Sequence, residues 1–161
     1  MVDVLCADMF TKNLISPVFS WYVFYDYKSL EACPDYDGPV SLDYYGRLHP
    51  SHSGGTVRTR SGTNSVQAVL NAMLASFDAG TDHRLLFRRL SVCANEVTAD
   101  SGGFQVDLFT DYKAADRERR MQGAMLEVRK KLGPNAVFKG INMLDGATTL
   151  ERNQQIGGHR A

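Results

Sequence analysis

The sequence has little cysteine and no long apolar run. Cys6, Cys33 and Cys93 are odd in number, and no pair has the close spacing of a zinc-binding or redox motif. No apolar stretch reaches membrane-spanning length, and the first residues lack the basic segment of a secretory signal. We therefore expect reduced thiols, no metal or other cofactor, no membrane partner and a cytoplasmic location.

The sequence also has no excess of positive or negative charge, since its formal net charge is zero. A zero balance argues against a uniformly basic, nucleic-acid-binding chain, but binding depends on the local field. Residues 1–39 carry two lysines and six carboxylates, whereas residues 40–99 carry six arginines and four carboxylates. The middle of the chain can therefore hold a local cationic surface.

The spacing of apolar residues predicts an α+β fold with an antiparallel sheet and helices on one face. Helices are expected over residues 2–14 and from Ser61 or Thr63 to Gly80, with one of these two residues as the N-cap. Strands are expected over residues 18–25, 56–60 and 85–97, with a turn-rich excursion at 28–55 between the first two.

Alternation along the last two of these strands predicts which side chains avoid the core. Arg58 and Arg60 share one face, while Val57 and Thr59 share the other. In the third strand the side chains expected to point outward are Arg89, Ser91, Cys93 and Asn95, and those expected to point inward are Leu90, Val92 and Ala94. Arg88 is expected on the face opposite Arg89.

The rest of the chain divides into a linker and a tail. Residues 1–98 form the expected first domain, residues 99–112 a linker, and residues 113–161 a C-terminal helix, strand and polar tail. The helix is expected over 113–132, ended by Gly133 and Pro134, and the strand over 136–143.

Three stretches resemble the Y-family translesion DNA polymerases, in particular their UmuC-like branch from Gram-positive bacteria. They are DYYGR at 43–47 with HSGG at 52–55, LLFRRLSVCANEV at 85–97, and DGATTLERNQQIGGHRA at 145–161. The resemblance implies that residues 1–98 are a little-finger domain with a βαββαβ pattern whose first strand is missing. It also implies that the catalytic carboxylates, which lie in the family's palm, are absent, so no enzymatic activity is expected of the chain alone.

Within that family the little finger holds primer-template DNA, mainly through phosphates. The resemblance and the strand pattern together select the candidate DNA-binding residues Arg58, Arg60, Ser61, Thr63, Arg88, Arg89, Ser91 and Asn95. Backbone N–H groups at the expected helix start, residues 61–64, would add an anion-binding site.

A second motif resembles the pentapeptide with which bacterial proteins bind the sliding clamp. It consists of Gln105, Val106, Asp107, Leu108 and Phe109. The expected function is therefore a non-catalytic, DNA-binding and clamp-tethering part of a lesion-bypass polymerase in SOS-type DNA repair, with the polymerase core possible in trans. Two alternatives stay open, namely a free-standing clamp-binding regulatory module and a non-functional gene remnant.

Overall fold

The computed structural model describes residues 1–101, 112–153, 155–156 and 159–160. The chain forms two compact units, Met1–Phe109 and Thr110–Ala161. The pentapeptide at 105–109 lies outside the described residues, as does most of the expected linker. Among the helices of the described part, none is both long and apolar enough to cross a membrane.

The first unit is built on a sheet whose central strand is β1 (Leu14–Tyr25). Strand β4 (Ser53–Thr63) pairs with β1 on one side and β5 (Phe87–Asn95) on the other, both antiparallel. The short strand β6 (Thr98–Ala99) pairs with the start of β1. The predicted α+β class with an antiparallel sheet is confirmed.

Two helices, α1 (Val2–Thr11) and α3 (Val66–Gly80), pack against one face of this sheet. Alternate residues of β1 supply the centre of the core, and Trp21 is only 1% exposed. The Trp21 indole N–H donates to Ser76 Oγ on α3 at 3.1 Å, so its polar atom is satisfied inside the core. The other buried core side chains are Cys6, Met9, Phe19, Val23, Tyr25, Val66, Val69, Met73 and Leu85.

Helix α1 ends earlier than predicted, and the expected helical residue Leu14 begins β1 instead. The reason is Asn13, whose φ of 55° is left-handed and stops the helix. Asn13 then bonds to Asp100 twice, accepting from its N–H at 2.9 Å and donating Nδ2–H to its carbonyl at 3.1 Å. The left-handed conformation of Asn13 thus separates α1 from the central strand β1.

Helix α3 also begins later than predicted, because β4 continues through Thr63. The N-cap is Ser65, whose Oγ accepts the Ala68 N–H at 3.1 Å. Thr63 Oγ1 instead accepts the Ser65 N–H at 3.0 Å. The expectation that Ser61 or Thr63 caps this helix is wrong.

The excursion between β1 and β4 contains a helical turn, α2 (Ser29–Ala32), and a hairpin of β2 (Val40–Leu42) with β3 (Leu48–Pro50). We call residues 40–50 the hairpin arm. Its turn is held by Asp43, whose Oδ1 accepts the N–H groups of Tyr45 at 2.8 Å and Arg47 at 2.9 Å. Gly46 takes a φ of 75° there, which suits a residue without Cβ.

The second unit begins with α4 (Tyr112–Leu132), which ends at Gly133 with a φ of 97°. The strand expected over 136–143 is wrong, since Gly140–Met143 is a 3-10 helix with the Asn142 N–H bonded to the Lys139 carbonyl. These local i to i−3 bonds replace the lateral bonds that a strand requires. The remaining elements are α5 (Thr149–Asn153) and the paired strands β7 (Gln155–Ile156) and β8 (His159–Arg160).

Candidate nucleic-acid interface

The sheet face turned away from α1 and α3 carries the candidate site, and we call it the outer face. Residues of β1 that alternate with the core point to it, including Ser20, Tyr22 and Phe24. In the pairing of β1 with its two neighbours, Tyr22 lies opposite Gly54 of β4 and Ser91 of β5, and Phe24 lies opposite Arg89 of β5. Val18 lies between Arg58 and Asn95.

Several predicted DNA-binding residues gather on the outer face. Val57 packs against the core, whereas Arg58 lies opposite Val18 on the outer face, and both Arg58 and Arg60 are exposed. In β5 the core-facing residues are Leu90, Val92 and Ala94, as predicted. The candidates that therefore share the outer face are Arg58, Arg89, Ser91 and Asn95, whereas Arg60 lies in an irregular stretch of β4 between Arg58 and Thr63 that does not pair in register with β1.

Ser61 and Thr63 do not form the expected site at a helix start. Both lie in β4, and Thr63 pairs with the buried Ser16. The Ser61 carbonyl accepts the Thr59 hydroxyl at 2.8 Å. Since α3 starts at Val66, the expected cluster of free N–H groups at 61–64 is wrong.

Arg88 lies beside Arg89, contrary to the expectation from alternation. The register slips at this point, because Phe24 pairs with Arg89 and Tyr25 pairs with Phe87, which leaves Arg88 as an extra residue. Both arginines line one concavity of about 260 Å³. The irregularity thus places two adjacent guanidinium groups at the same site.

On the outer face, the candidate side chains of Asn95 and Arg58 already have partners inside the protein. Asn95 Nδ2 donates to Ser20 Oγ at 2.8 Å, and Ser20 Oγ lies 2.9 Å from Thr56 Oγ1. Arg58 forms an ion pair with Glu96 at 2.8 Å. To contact a ligand, Asn95 has to share or give up its hydrogen bond to Ser20, and Arg58 has to share or give up its ion pair with Glu96.

Two arginines of the first unit that are not DNA-binding candidates, Arg47 and Arg84, are paired with carboxylates. Arg47 lies 2.7 Å from Asp43, and hydrogen bonds from the Arg47 backbone N–H and guanidinium lower the pKa of that carboxyl. Arg84 lies 2.7 Å from Asp82, and its guanidinium hydrogen bonds lower the pKa of Asp82 to about 2.

Arg88 and Arg89, by contrast, form no ion pair with a carboxylate among the described residues. Their positive charges are therefore not offset by a contact within that part of the chain. An anion at the outer face can therefore be attracted by these two charges.

The aromatic side chains of this region were not among the residues predicted from the sequence. Tyr22 is 39% and Phe24 38% exposed, which is unusual for rings in a central strand. Phe24 stacks with His52 at a centroid distance of 5.6 Å. Their position could have been predicted, because Tyr22 and Phe24 alternate with the core residues Trp21 and Val23 along β1.

The histidines of the excursion do not form a metal cluster. His49 Nδ1 lies 2.8 Å from the Pro50 carbonyl, while His52 stacks on Phe24. Throughout the described ranges, no group of three or more His, Cys, Asp or Glu side chains could hold a metal ion.

The chain was compared with protein families, curated proteins and solved structures. No family model matches it, and no curated protein or solved structure matches it either.

Proposed function

We propose that the first unit binds DNA through its outer face without reading its sequence. The observation that carries the proposal is the separation of the two sheet faces. The helices cover one face, while Arg58, Arg89, Ser91 and Asn95 lie on the other, and Arg60 is exposed on the same strand as Arg58. Arginine guanidinium groups and short polar side chains are typical donors to phosphate oxygens.

The layout of the strands suits a phosphate surface. The candidate side chains come from β4 and β5, which flank β1. Neighbouring strands are about 4.8 Å apart, so the two rows of donors are roughly 10 Å apart. Such a surface supplies affinity through charge and counterion release, and it contains few groups that could distinguish base pairs.

Within the wider proposal, this chain is the non-catalytic part of a Y-family lesion-bypass polymerase that acts on primer-template DNA in the cytoplasm. The support is the resemblance of residues 85–97 and 145–161 to that family. Two-metal phosphoryl transfer needs converging carboxylates, and in this proposal they belong to a polymerase core outside this chain.

Tethering to the sliding clamp is the second part of the proposal. It rests on the pentapeptide sequence at 105–109. Leu108 and Phe109 would fill an apolar cleft on the clamp, and Gln105 would make directed hydrogen bonds. A clamp contact in the same chain as a DNA-binding surface raises the effective concentration of that surface at the DNA.

DNA binding is tested by fluorescence anisotropy with a labelled duplex over a series of salt concentrations. The double variant Arg58→Ala/Arg89→Ala should bind more weakly, and its log–log salt slope should fall by about 0.9 for each phosphate that it no longer neutralises. The matched control is Lys12→Ala/Arg84→Ala, which removes the same charge from ion pairs outside the outer face. Equal binding by the two double variants would contradict the assignment of the outer face.

Clamp binding is tested with purified bacterial sliding clamp by calorimetry. The wild type should bind, and Leu108→Ala/Phe109→Ala should abolish that binding while keeping the affinity for duplex DNA. No clamp binding by the folded wild type would remove this part of the proposal. Clamp binding without DNA binding would instead support the free-standing regulatory module.

A further inference from the structure

A concavity lies where the outer face meets the hairpin arm. Its volume is about 260 Å³, which is just below the roughly 300–1,000 Å³ of sites for drug-sized ligands. Its lining comes from the end of β1 together with the turn that follows it, from the hairpin arm and from the start of β5. The residues that matter for its chemistry are Phe24, Tyr27, Asp43, His49, Arg88 and Arg89.

The aromatic part of this concavity is held in place by neighbouring side chains. His52 stacks on Phe24 with an interplanar angle of 25°. The Arg47 guanidinium carbon lies 4.4 Å from the Tyr27 ring centroid and 5.1 Å from that of Tyr45. Arg47 is itself fixed by Asp43, with Nε to Oδ2 at 2.8 Å. A ligand therefore meets rings that need little reorganisation.

The charge that has no ion-pair partner in the concavity is positive. The carboxylate of Asp43 is paired with Arg47. Arg88 and Arg89 have no ion-pair partner among the described residues, and the Arg89 guanidinium carbon lies 5.8 Å from the Phe24 centroid. The concavity thus combines an apolar π surface with two cations that an anion could satisfy.

We propose that this concavity binds one unpaired nucleotide of single-stranded DNA. The base packs against the aromatic wall that includes Phe24 and Tyr27, and its phosphate contacts Arg88 and Arg89. This inference rests on the proposed function, because it assumes that DNA reaches the outer face. It adds a preference for unpaired over paired DNA, which the phosphate-binding surface alone does not provide.

The combination of groups favours a nucleotide over simpler ligands. A small anion would use the arginines and leave the rings without a role, and an apolar molecule would leave both charges unpaired. A nucleotide uses both features, since every base has a π face and every phosphate is an anion. A base that is paired and stacked in a duplex has neither face available, so the ligand has to be unpaired.

The test compares two DNA molecules and three proteins by fluorescence anisotropy. The DNA molecules are a blunt duplex and the same duplex with a single-stranded extension. The wild type should bind the extended DNA roughly fivefold or more tightly than the blunt one, as expected for one stacked base. Phe24→Leu should remove most of this gain while keeping the affinity for blunt duplex. The control Tyr44→Leu removes a fully exposed ring outside the concavity and should keep the gain.

A second variant reports stacking directly. Phe24→Trp retains a π face and places an exposed indole in the concavity, whereas the natural Trp21 is buried and stays constant. Its fluorescence should be quenched on adding a single-stranded oligonucleotide and should change little with blunt duplex. A folded Phe24→Trp protein that binds the oligonucleotide without quenching would overturn the proposed position of the base.

The outcomes separate this inference from the function on which it rests. Blunt-duplex binding with no gain from the extension would overturn the nucleotide site and leave the DNA-binding face intact. An equal gain in wild type and Phe24→Leu would overturn it in the same way. No binding to either DNA by the folded protein would overturn both proposals.

Discussion

The two faces of β1 show how one strand serves two purposes. Phe19, Trp21 and Val23 are at most 1% exposed beneath the helices, whereas Tyr22 and Phe24 on the outer face are 39% and 38% exposed. Successive side chains point to opposite faces, so neighbours in sequence experience different surroundings. The helix-covered face stabilises the fold by burying apolar area, about 25 cal/mol per Å². The outer face leaves rings and charges available to a ligand.

Trp21 and Tyr22 give the strongest test of this difference. Trp21→Ala should lower the free energy of unfolding by about 3–5 kcal/mol, because a cavity replaces a buried ring. Tyr22→Ala should lower it by about 1 kcal/mol, the usual scale for a cross-strand pair. Urea unfolding followed by circular dichroism measures both. Similar decreases would show that the outer face is as important to stability as the core.

The two adjacent glycines of β4 sharpen the comparison. A Cβ on Gly55 would lie 2.7 Å from Nε1 of the buried Trp21, so Gly55→Ala should cost about 1–3 kcal/mol of unfolding free energy. A Cβ on Gly54 would lie 2.8 Å from a ring carbon of Tyr22, which can turn towards solvent. Gly54→Ala should therefore cost about 1 kcal/mol or less. Thermal unfolding of the two variants should rank them in this order, and the reverse order would contradict the packing described for Trp21.

Glu96 tests whether the ion pair on the outer face restrains DNA binding. Glu96→Gln removes the partner of Arg58 and should raise duplex affinity severalfold, while changing stability by less than about 1 kcal/mol. Glu31→Gln, a change of the same charge on α2, is the control for net charge. Anisotropy titrations at low and moderate salt provide the comparison. An equal rise in both variants would assign the effect to net charge alone.

The smallest effect is expected at the turn of the hairpin arm. The pKa of Asp43 is held below its ordinary value of 3.8 by hydrogen bonds from Arg47. Its contribution to stability is therefore complete above that value and is lost as pH falls through the depressed pKa. An NMR titration of the Asp43 carboxyl carbon should show a midpoint below 3.8, and Arg47→Ala should move it upward. A midpoint at the ordinary value would contradict the turn geometry.

Much of the sheet could be predicted because alternation is a local property. The opposite orientation of Val57 and Arg58, and of Leu90 and Arg89, follows from the period of two along each strand. Element ends were less predictable, as Asn13 and Ser65 show. The end of α1 depends on the backbone conformation of Asn13, and the start of α3 depends on one hydrogen bond to Ser65. Several neighbouring residues could have adopted that conformation or accepted that hydrogen bond.

By itself, the sequence determined the α+β class and the face to which Arg58, Arg89 and Asn95 belong, because residue periodicity follows directly from strand geometry. Only the tertiary structure decided the position of Arg88, since a slip in register depends on which residues of β1 lie opposite. It also decided that Glu96 pairs with Arg58 and that β1, β5 and the hairpin arm form one concavity. These contacts join segments far apart in sequence, and no local pattern encodes a distance between them.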